Sequence, residues 1–423
     1  MIAGISSRGN IRKKTQSKSS ISSSIFEMLF YVAVFFPYLA FFPVPTDTQP
    51  NALILSFVYV VYCLFVKKAS FPRAIVALVT VAVFATVFVF ADAFSFTAVR
   101  SYTGYVSLII ISLASYFFVS FHGFSDLALE VIIWIWFLAA VLQYLISPSI
   151  LEFVVGGVGQ RIGIAGGRGV SSFAVEPTYY GTVCYFLLLL VFMKLKTHRP
   201  FYSLLLLFQI VILAKSSMII LVLVVDAVFI LIVLKRFKLL VVAALLLVLF
   251  AGPLGSFIVD YSNSRVSYFI NLVKNEGINS IFFMDASANQ RMSHIYYSLY
   301  GFAKDFGWPH GFSSWPEFYM ENVHVSRYFW YTNYFPTRIM STYGAVLFEL
   351  GWFGVVIIGT INYLLLTAIK EKQKRLVLCF ALNVILLTAI PLAFPINGFI
   401  IGLLLNEKEL AENKKKERVT LCK

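Results

Sequence analysis

The chain has 423 residues, of which 60% are hydrophobic and only 13% are charged. This composition excludes a soluble globular protein and is typical of a protein that crosses a membrane many times. The formal net charge is +14, but the basic residues lie where they orient a membrane protein, so we expect no nucleic-acid partner. The four cysteines have neither the spacing of a disulfide framework nor that of a metal site.

Apolar segments follow one another along most of the chain. Residues 1–24 are polar, basic and rich in serine, and we predict that they form a cytoplasmic tail. Ten membrane spans are then predicted, at residues 25–43, 51–66, 73–91, 102–121, 127–147, 173–193, 201–214, 217–234, 239–259 and 341–369. Pro391 and Pro395 interrupt the apolar segment 376–405, which is therefore either one long span or two short spans.

The distribution of lysine and arginine decides between eleven and twelve spans. With twelve spans and both termini in the cytoplasm, the inner segments hold 24 of the 34 basic residues. With eleven spans, the six basic residues of the C-terminal tail would move to the outer face. The positive-inside rule therefore favours twelve. We predict an all-α polytopic membrane protein with nine helices in residues 25–259, one large extracytoplasmic loop at 260–338, three more helices in 339–405 and a cytoplasmic basic tail at 406–423.

A candidate functional site lies where a glycine-rich loop meets the sixth predicted span. The loop contains Arg161 and Arg168, and the span begins at Glu176-Pro177. Proline fits the first helical position, and the residue before it avoids helical backbone, so we expect Glu176 at the start of the helix near one membrane face. A carboxylate beside two arginines suits catalysis. It equally suits a structural role against the helix dipole, which is worth about 0.3–1 kcal/mol.

The large outer loop is too long for a simple connector, so we expect it to have structure of its own. Ser287 to Gln290 fits a capping box, and apolar residues at helical spacing continue as far as Phe306. Gly307 then supplies a C-terminal stop. Arg291 falls in the first turn of this predicted helix, where it forms a reasonable diphosphate site. The dense aromatic residues of the loop suit either an interfacial belt or stacking on sugar rings.

Two carboxylates fall within predicted spans. Asp226 lies near the middle of its span, where it is either functional or a protonated group bonded to a neighbouring helix. Glu349 lies two turns into its span and is interpreted as facing a cavity open to the outer surface. Asp47 and Asp92 stand isolated in the sequence. Neither a nucleotide-binding nor a metal-binding motif occurs, so we expect no cofactor and no metal.

Four short sequence signals occur in a fixed order. They are RGVSSFAVEPTYYG at 168–181, AKSSMIIL at 214–221, the fifteen residues between Arg291 and Gly307, and GAVLFELGWFG at 344–354. Together with the predicted architecture they resemble the bacterial repeat-unit polymerases of O-antigen and capsule synthesis (the Wzy type), which are related to O-antigen ligases. Ligases have a histidine shortly before the last segment. The matching stretch here, 331–338, has none, and this favours a polymerase.

The resemblance implies a metal-independent membrane glycosyltransferase at the outer face of the bacterial cytoplasmic membrane. Its donor is an oligosaccharide on undecaprenyl diphosphate, and its acceptor is the sugar of a second lipid-linked repeat unit. On this mechanism Glu176 takes the acceptor proton, and Arg291 stabilises the leaving group. The diphosphate ligands are Arg161, Arg168, Arg291, Lys215 and Arg265. Membrane lipids, a flippase and a chain-length regulator are the expected partners.

Two other functions remain open from the sequence. An O-antigen ligase shares the same signals apart from the histidine. A flippase or secondary transporter of lipid-linked oligosaccharides would also have about twelve spans and an intramembrane charge such as Asp226. The 79-residue outer loop argues against a transporter, as does the lack of similarity between the two halves of the chain.

Overall fold

The computed structural model describes residues 21–41, 44, 46–155, 160, 169–239, 271–272, 274–277, 280, 286–326, 328–329, 338–388 and 390–421. Throughout this part the chain is helical and has no β-strand beyond one isolated bridge between Leu39 and Val155. The all-α class is thereby confirmed. Three of the described helices are long and apolar enough to cross a bilayer, and six more are apolar but shorter. The twelve-span topology stays a prediction.

The first half of the chain forms helices close to the predicted spans. They are α1 Ile21–Phe35, α2 Asn51–Phe65, α3 Ile75–Ala91, α4 Phe96–His122, α5 Asp126–Leu145, α6 Pro177–Lys194, α7 Arg199–Phe208 and α8 Ser217–Val233. Helix α7 continues as a π-helical turn, Gln209–Ala214. Helix α1 ends well before the predicted residue 43, because Pro37 follows its last turn. Nearly all of the predicted ninth span, 239–259, lies outside the described residues.

The second half contains α9 Ala286–Lys304, α10 Trp315–Asn322, α11 Thr342–Leu350, α12 Trp352–Ala368, α13 Lys372–Leu387 and α14 Pro395–Leu421. The predicted single span at 341–369 is two helices, because Gly351 has a φ of +57° and interrupts the helical backbone. The ambiguous segment 376–405 also forms two helices, with Pro391 between them. Helix α14 continues to Leu421, so much of the predicted basic tail is helical.

Serine side chains cap four helices at their N-termini. Ser95, Ser125, Ser216 and Ser341 precede α4, α5, α8 and α11, and each accepts a hydrogen bond of 3.0–3.4 Å from the amide three residues later. A cap of this kind contributes about 0.5–2 kcal/mol, because it satisfies an amide that has no partner within the helix. These serines therefore fix where the helices begin.

Helices α4 and α14 pack closely against each other at the centre of the fold. A Cβ atom on Gly402 would lie 2.4 Å from the carbonyl oxygen of Ser112, and one on Gly398 would lie 2.8 Å from Ile111. Small residues four apart allow two membrane helices to approach at backbone distance. Helices α2 and α3 pack on α4, and α12 packs on α14, around this pair.

Helix α9 packs on α11 through small residues. A Cβ atom on Gly344 would lie 2.2 Å from Ser298 Oγ, and one on Gly301 would lie 2.7 Å from the ring of Phe348. Gly307 has a φ of +75° and ends the turn after α9, which confirms its predicted role as a stop. Helix α9 includes Ala286 and Ser287, so Ser287 does not precede the helix and the predicted capping box is wrong. Arg291 consequently lies in the second turn and not in the first.

The region predicted as the outer loop has an apolar core separate from the main one. Tyr297, Trp315 and Tyr319 are at most 2% exposed and pack with Val323 and Phe348. These three aromatic residues form neither an interfacial belt nor a sugar platform, since they are buried within the loop. The core instead holds α9 and α10 together and fixes the position of Arg291.

Candidate functional site

Glu176 lies at the start of α6, as predicted. Its backbone is extended, with φ −147° and ψ 159°, and Pro177 occupies the first helical position. The main-chain oxygen of Glu176 accepts hydrogen bonds from the amides of Tyr179 and Tyr180 at 3.0 and 3.2 Å. Its side chain does not cap the helix and is only 14% exposed. The start of α6 therefore positions the Glu176 carboxylate, although this carboxylate does not cap the helix.

Two glutamines hold the segment that leads into Glu176. Gln143 accepts a hydrogen bond of 2.6 Å from the amide of Ser172 and donates one of 3.0 Å to Gln160. Gln160 in turn donates to the carbonyls of Ser172 and Ala174 at 2.7 and 3.2 Å. Ser172 has a φ of +51°, which few residues other than glycine adopt without support from neighbours. This buried network keeps the start of α6 in one conformation.

Arg291 approaches Glu176 from helix α9. Its Nη2 lies 3.8 Å from Glu176 Oε1, and its Nη1 lies 3.0 Å from the sulfur of Met218. The guanidinium-bearing side chain is 22% exposed. The structure thus brings together the two residues that the sequence analysis assigned to catalysis, although they are far apart in the chain.

Lys215 lies at the junction between the π-helical turn and α8. Its φ of +48° and the cap at Ser216 end one helix and begin the next. Gly181 of α6 packs against Ser216, with its Cβ position 3.0 Å from the serine Cβ. Lys215 is half-buried, and it has no carboxylate partner within the described part of the chain. The structure therefore places Lys215 at the end of α8 that contacts α6, three residues before the methionine that touches Arg291.

The remaining predicted diphosphate ligands, Arg161, Arg168 and Arg265, lie outside the described residues. The residues that follow the arginine loop are described. Val170 donates a hydrogen bond of 2.9 Å to the carbonyl of Leu213, and a Cβ atom on Gly169 would lie 2.0 Å from the same oxygen. The exit of the loop is therefore held two residues from Lys215.

A second carboxylate and arginine pair lies beside Glu176, and the sequence analysis missed it. Asp47 stands isolated in the sequence, but its Oδ2 is 3.0 Å from Arg338 Nη2. The same oxygen accepts a hydrogen bond of 3.2 Å from the hydroxyl of Tyr179, which stacks on Tyr38 with ring centroids 5.7 Å apart. The only sequence signal was that both charged residues fall on the predicted outer face.

His294 supports the segment that carries Arg338. It is fully buried one turn after Arg291, and its Nδ1 accepts a hydrogen bond of 3.2 Å from the amide of Met340. Burial, and then the positive charge of Arg338, lower the pKa of His294 to about 3. The imidazole is therefore neutral at neutral pH, with its proton on Nε2.

The other carboxylates singled out in the sequence are occupied by neighbours. Glu349 is 8% exposed and accepts hydrogen bonds from Tyr105 at 2.7 Å and Ser101 at 3.2 Å, so the expectation that it faces an open cavity is wrong. Asp226 bonds to Tyr185 and so links α8 to α6. Asp92, also isolated in the sequence, accepts a hydrogen bond of 3.1 Å from the amide of Ser313.

The described residues contain no group of three or more side chains suited to a metal ion. Together, the fold and the site define an all-helical protein with apolar helices able to cross a membrane and a charged cluster at the start of one of them. The chain matches no known protein family, and no curated protein is significantly similar to it. The function is therefore inferred from the chemistry of the site and from the resemblance in the sequence.

Proposed function

We propose that the protein is a polysaccharide polymerase that joins oligosaccharide repeat units carried on undecaprenyl diphosphate. The observation that supports this most directly is the contact between Glu176 and Arg291 at 3.8 Å. Glycosyl transfer from a lipid diphosphate needs a proton acceptor for the incoming hydroxyl and a cation for the leaving group. A carboxylate and a guanidinium at the start of one apolar helix supply both.

In the proposed reaction, the acceptor hydroxyl oxygen forms a bond to the anomeric carbon of the donor. The bond between that carbon and the diphosphate oxygen breaks, and its electron pair stays on the diphosphate. Glu176 accepts the hydroxyl proton, and Arg291 and Lys215 stabilise the negative charge, together with Arg161, Arg168 and Arg265. The leaving group is already activated, so the reaction requires neither a nucleotide nor a metal.

The proposal places the reaction at the outer face of the bacterial cytoplasmic membrane, with both termini inside. A flippase would supply the lipid-linked units, and a chain-length regulator would act on the product. Asp226 supports a polymerase over a flippase, because its contact with Tyr185 gives this intramembrane carboxyl group a structural role between two helices.

The test uses purified protein in liposomes with lipid-linked repeat units, supplied alone or together with a lipid A core. A ladder of polymer with release of lipid diphosphate is the expected result. Transport of the units across the bilayer without a new glycosidic bond would identify a flippase. Transfer only to an added lipid A core would identify a ligase. Either outcome would refute the polymerase.

A further inference from the structure

Arg338 belongs to a three-residue contact at the start of α6. Asp47 Oδ2 lies 3.0 Å from Arg338 Nη2 and 3.2 Å from the hydroxyl of Tyr179. The three residues come from the connection between α1 and α2, the first turn of α6, and the segment before α11. The contact therefore joins three distant parts of the chain at a point three residues from Glu176.

The two charged partners differ in exposure. The side chain of Asp47 is 9% exposed, whereas that of Arg338 is 37% exposed, which is more than the 22% of Arg291. A guanidinium has five N–H donors, of which Nη2 contacts Asp47, and the hydroxyl of Tyr179 also lies beside this guanidinium. The buried carboxylate thus holds an arginine whose side chain is still accessible to an anion.

Two links place Arg338 near Arg291. The hydroxyl of Tyr179 lies within electrostatic reach of both arginines. His294, one turn after Arg291 on α9, accepts the amide hydrogen of Met340, two residues after Arg338. Because α9 is itself packed into the loop core, these links hold the two arginines near each other at the start of α6.

We propose that Arg338 binds one phosphoryl group of a lipid diphosphate while Arg291 binds the other, and that Asp47 positions Arg338 for this contact. The inference rests on the proposed function, because it concerns the donor lipid of that reaction. Two arginine forks match the two anionic groups of a diphosphate, and a monophosphate can engage only one of them fully. Asp47 is a positioning residue, since it acts through Arg338.

The variant Asp47→Asn separates positioning from simple electrostatics by the sign of its effect. Loss of a negative charge beside an anion site strengthens anion binding if charge alone matters. If Asp47 positions Arg338, the same substitution weakens binding. We expect the affinity for undecaprenyl diphosphate, measured with protein in nanodiscs, to fall about tenfold, as for loss of a charge-assisted contact. Glu317→Gln removes one charge at an exposed position of α10 and is the matched control, with an unchanged affinity expected.

The selectivity for diphosphate over monophosphate tests Arg338 itself. We expect the wild-type protein to prefer undecaprenyl diphosphate over undecaprenyl monophosphate by about tenfold, and Arg338→Gln to remove that preference. Arg338→Lys keeps the charge and the pairing with Asp47 but loses the fork, so it should lower the preference even if the glutamine variant does not fold. Equal weakening for both lipids, or tighter binding by Asp47→Asn, would overturn the proposal.

The experiments test the proposed Arg338 subsite separately from the proposed polymerase function. Diphosphate selectivity that depends on Arg338, without any polymer in the liposome assay, supports the subsite and refutes the polymerase. Polymer made by Asp47→Asn and Arg338→Gln with wild-type kcat and KM for the donor refutes the subsite and leaves the polymerase standing. A rise in KM with little change in kcat is the outcome expected if both hold.

Discussion

The substitution Glu176→Gln is the sharpest perturbation of the candidate site, because it removes the proton acceptor and keeps the size of the side chain. Glu176 does not cap α6 and is 14% exposed beside Arg291. Loss of a partly exposed ion pair at 3.8 Å costs about 1 kcal/mol or less. Loss of a general base lowers the rate by about 10²–10⁴-fold, which corresponds to roughly 3–5 kcal/mol. The two roles therefore predict effects of different size.

The assay is the rate of polymer formation from lipid-linked repeat units in liposomes. The thermal unfolding midpoint in detergent reports the structural part of the effect separately. We expect Glu176→Gln to be folded and at least about a hundredfold slower than the wild type. Glu176→Asp should lie between them, because the shorter side chain keeps the charge but reaches less far. Glu317→Gln, at an exposed position of α10, provides the same chemical change outside the site.

Arg291 gives an internal check on the same reasoning. If Glu176 acts only by pairing with Arg291, the double variant Glu176→Gln with Arg291→Gln should be no worse than Arg291→Gln alone. If Glu176 acts on the acceptor hydroxyl and Arg291 on the leaving group, the double variant should be slower than either single variant. A folded Glu176→Gln protein that keeps more than about a tenth of the wild-type rate would refute the general-base role.

Three further predictions follow from the fold. Gly402→Leu should lower the unfolding midpoint by several degrees or prevent folding, because its Cβ would lie 2.4 Å from a backbone oxygen of α4. The control Gly359→Leu lies at an open helix position and should change the midpoint little. Equal midpoints for the two variants would contradict the close packing of α4 and α14. His294 has a pKa of about 3 when folded and about 6.5 when unfolded, so its contribution to stability is complete above pH 6.5 and lost as the pH falls, by about 2 kcal/mol at pH 5. The fall in unfolding midpoint between pH 7 and pH 5 should therefore be smaller in His294→Asn, which keeps an acceptor for the amide of Met340, and an equal fall in both proteins would exclude His294 as its cause. A cysteine at Glu317 should react with an impermeant thiol reagent in intact cells, whereas reaction only after permeabilisation would reverse the predicted orientation.

Features that depend on local chemistry were predictable from the sequence. Proline after Glu176 fixed the start of α6, and Gly307 marked the end of the turn after α9, because both residues restrict or permit particular backbone angles. The apolar segments likewise gave most helices to within a few residues. The break at Gly351 was missed because hydropathy is continuous across it, and only the backbone geometry interrupts the helix.

Contacts between distant segments were not predictable in the same way. Asp47 and Arg338 lie far apart in the sequence. The residues around each of them give no indication that the two side chains meet. The partners of Glu349 were hidden for the same reason, since Tyr105 and Ser101 lie on α4. The distribution of basic residues predicted a tail after residue 405. Helix α14 instead continues to Leu421, because this segment is rich in good helix formers such as Glu, Leu, Ala and Lys.

The close packing at the two glycines after α9 and α11 has a consequence for how this chain can vary. Trp352 donates a hydrogen bond of 3.0 Å to the carbonyl of Gly307, and a Cβ on Gly351 would lie 2.1 Å from that oxygen. One end of α9 is thus anchored, and Arg291 lies about 20 Å away along a continuous helix. Inserting one residue between them would turn Arg291 by about 100° away from Glu176, whereas a change of residue type on the exposed face would leave it in place. The number of residues between Arg291 and Gly307 therefore matters more to this site than the identity of most of them.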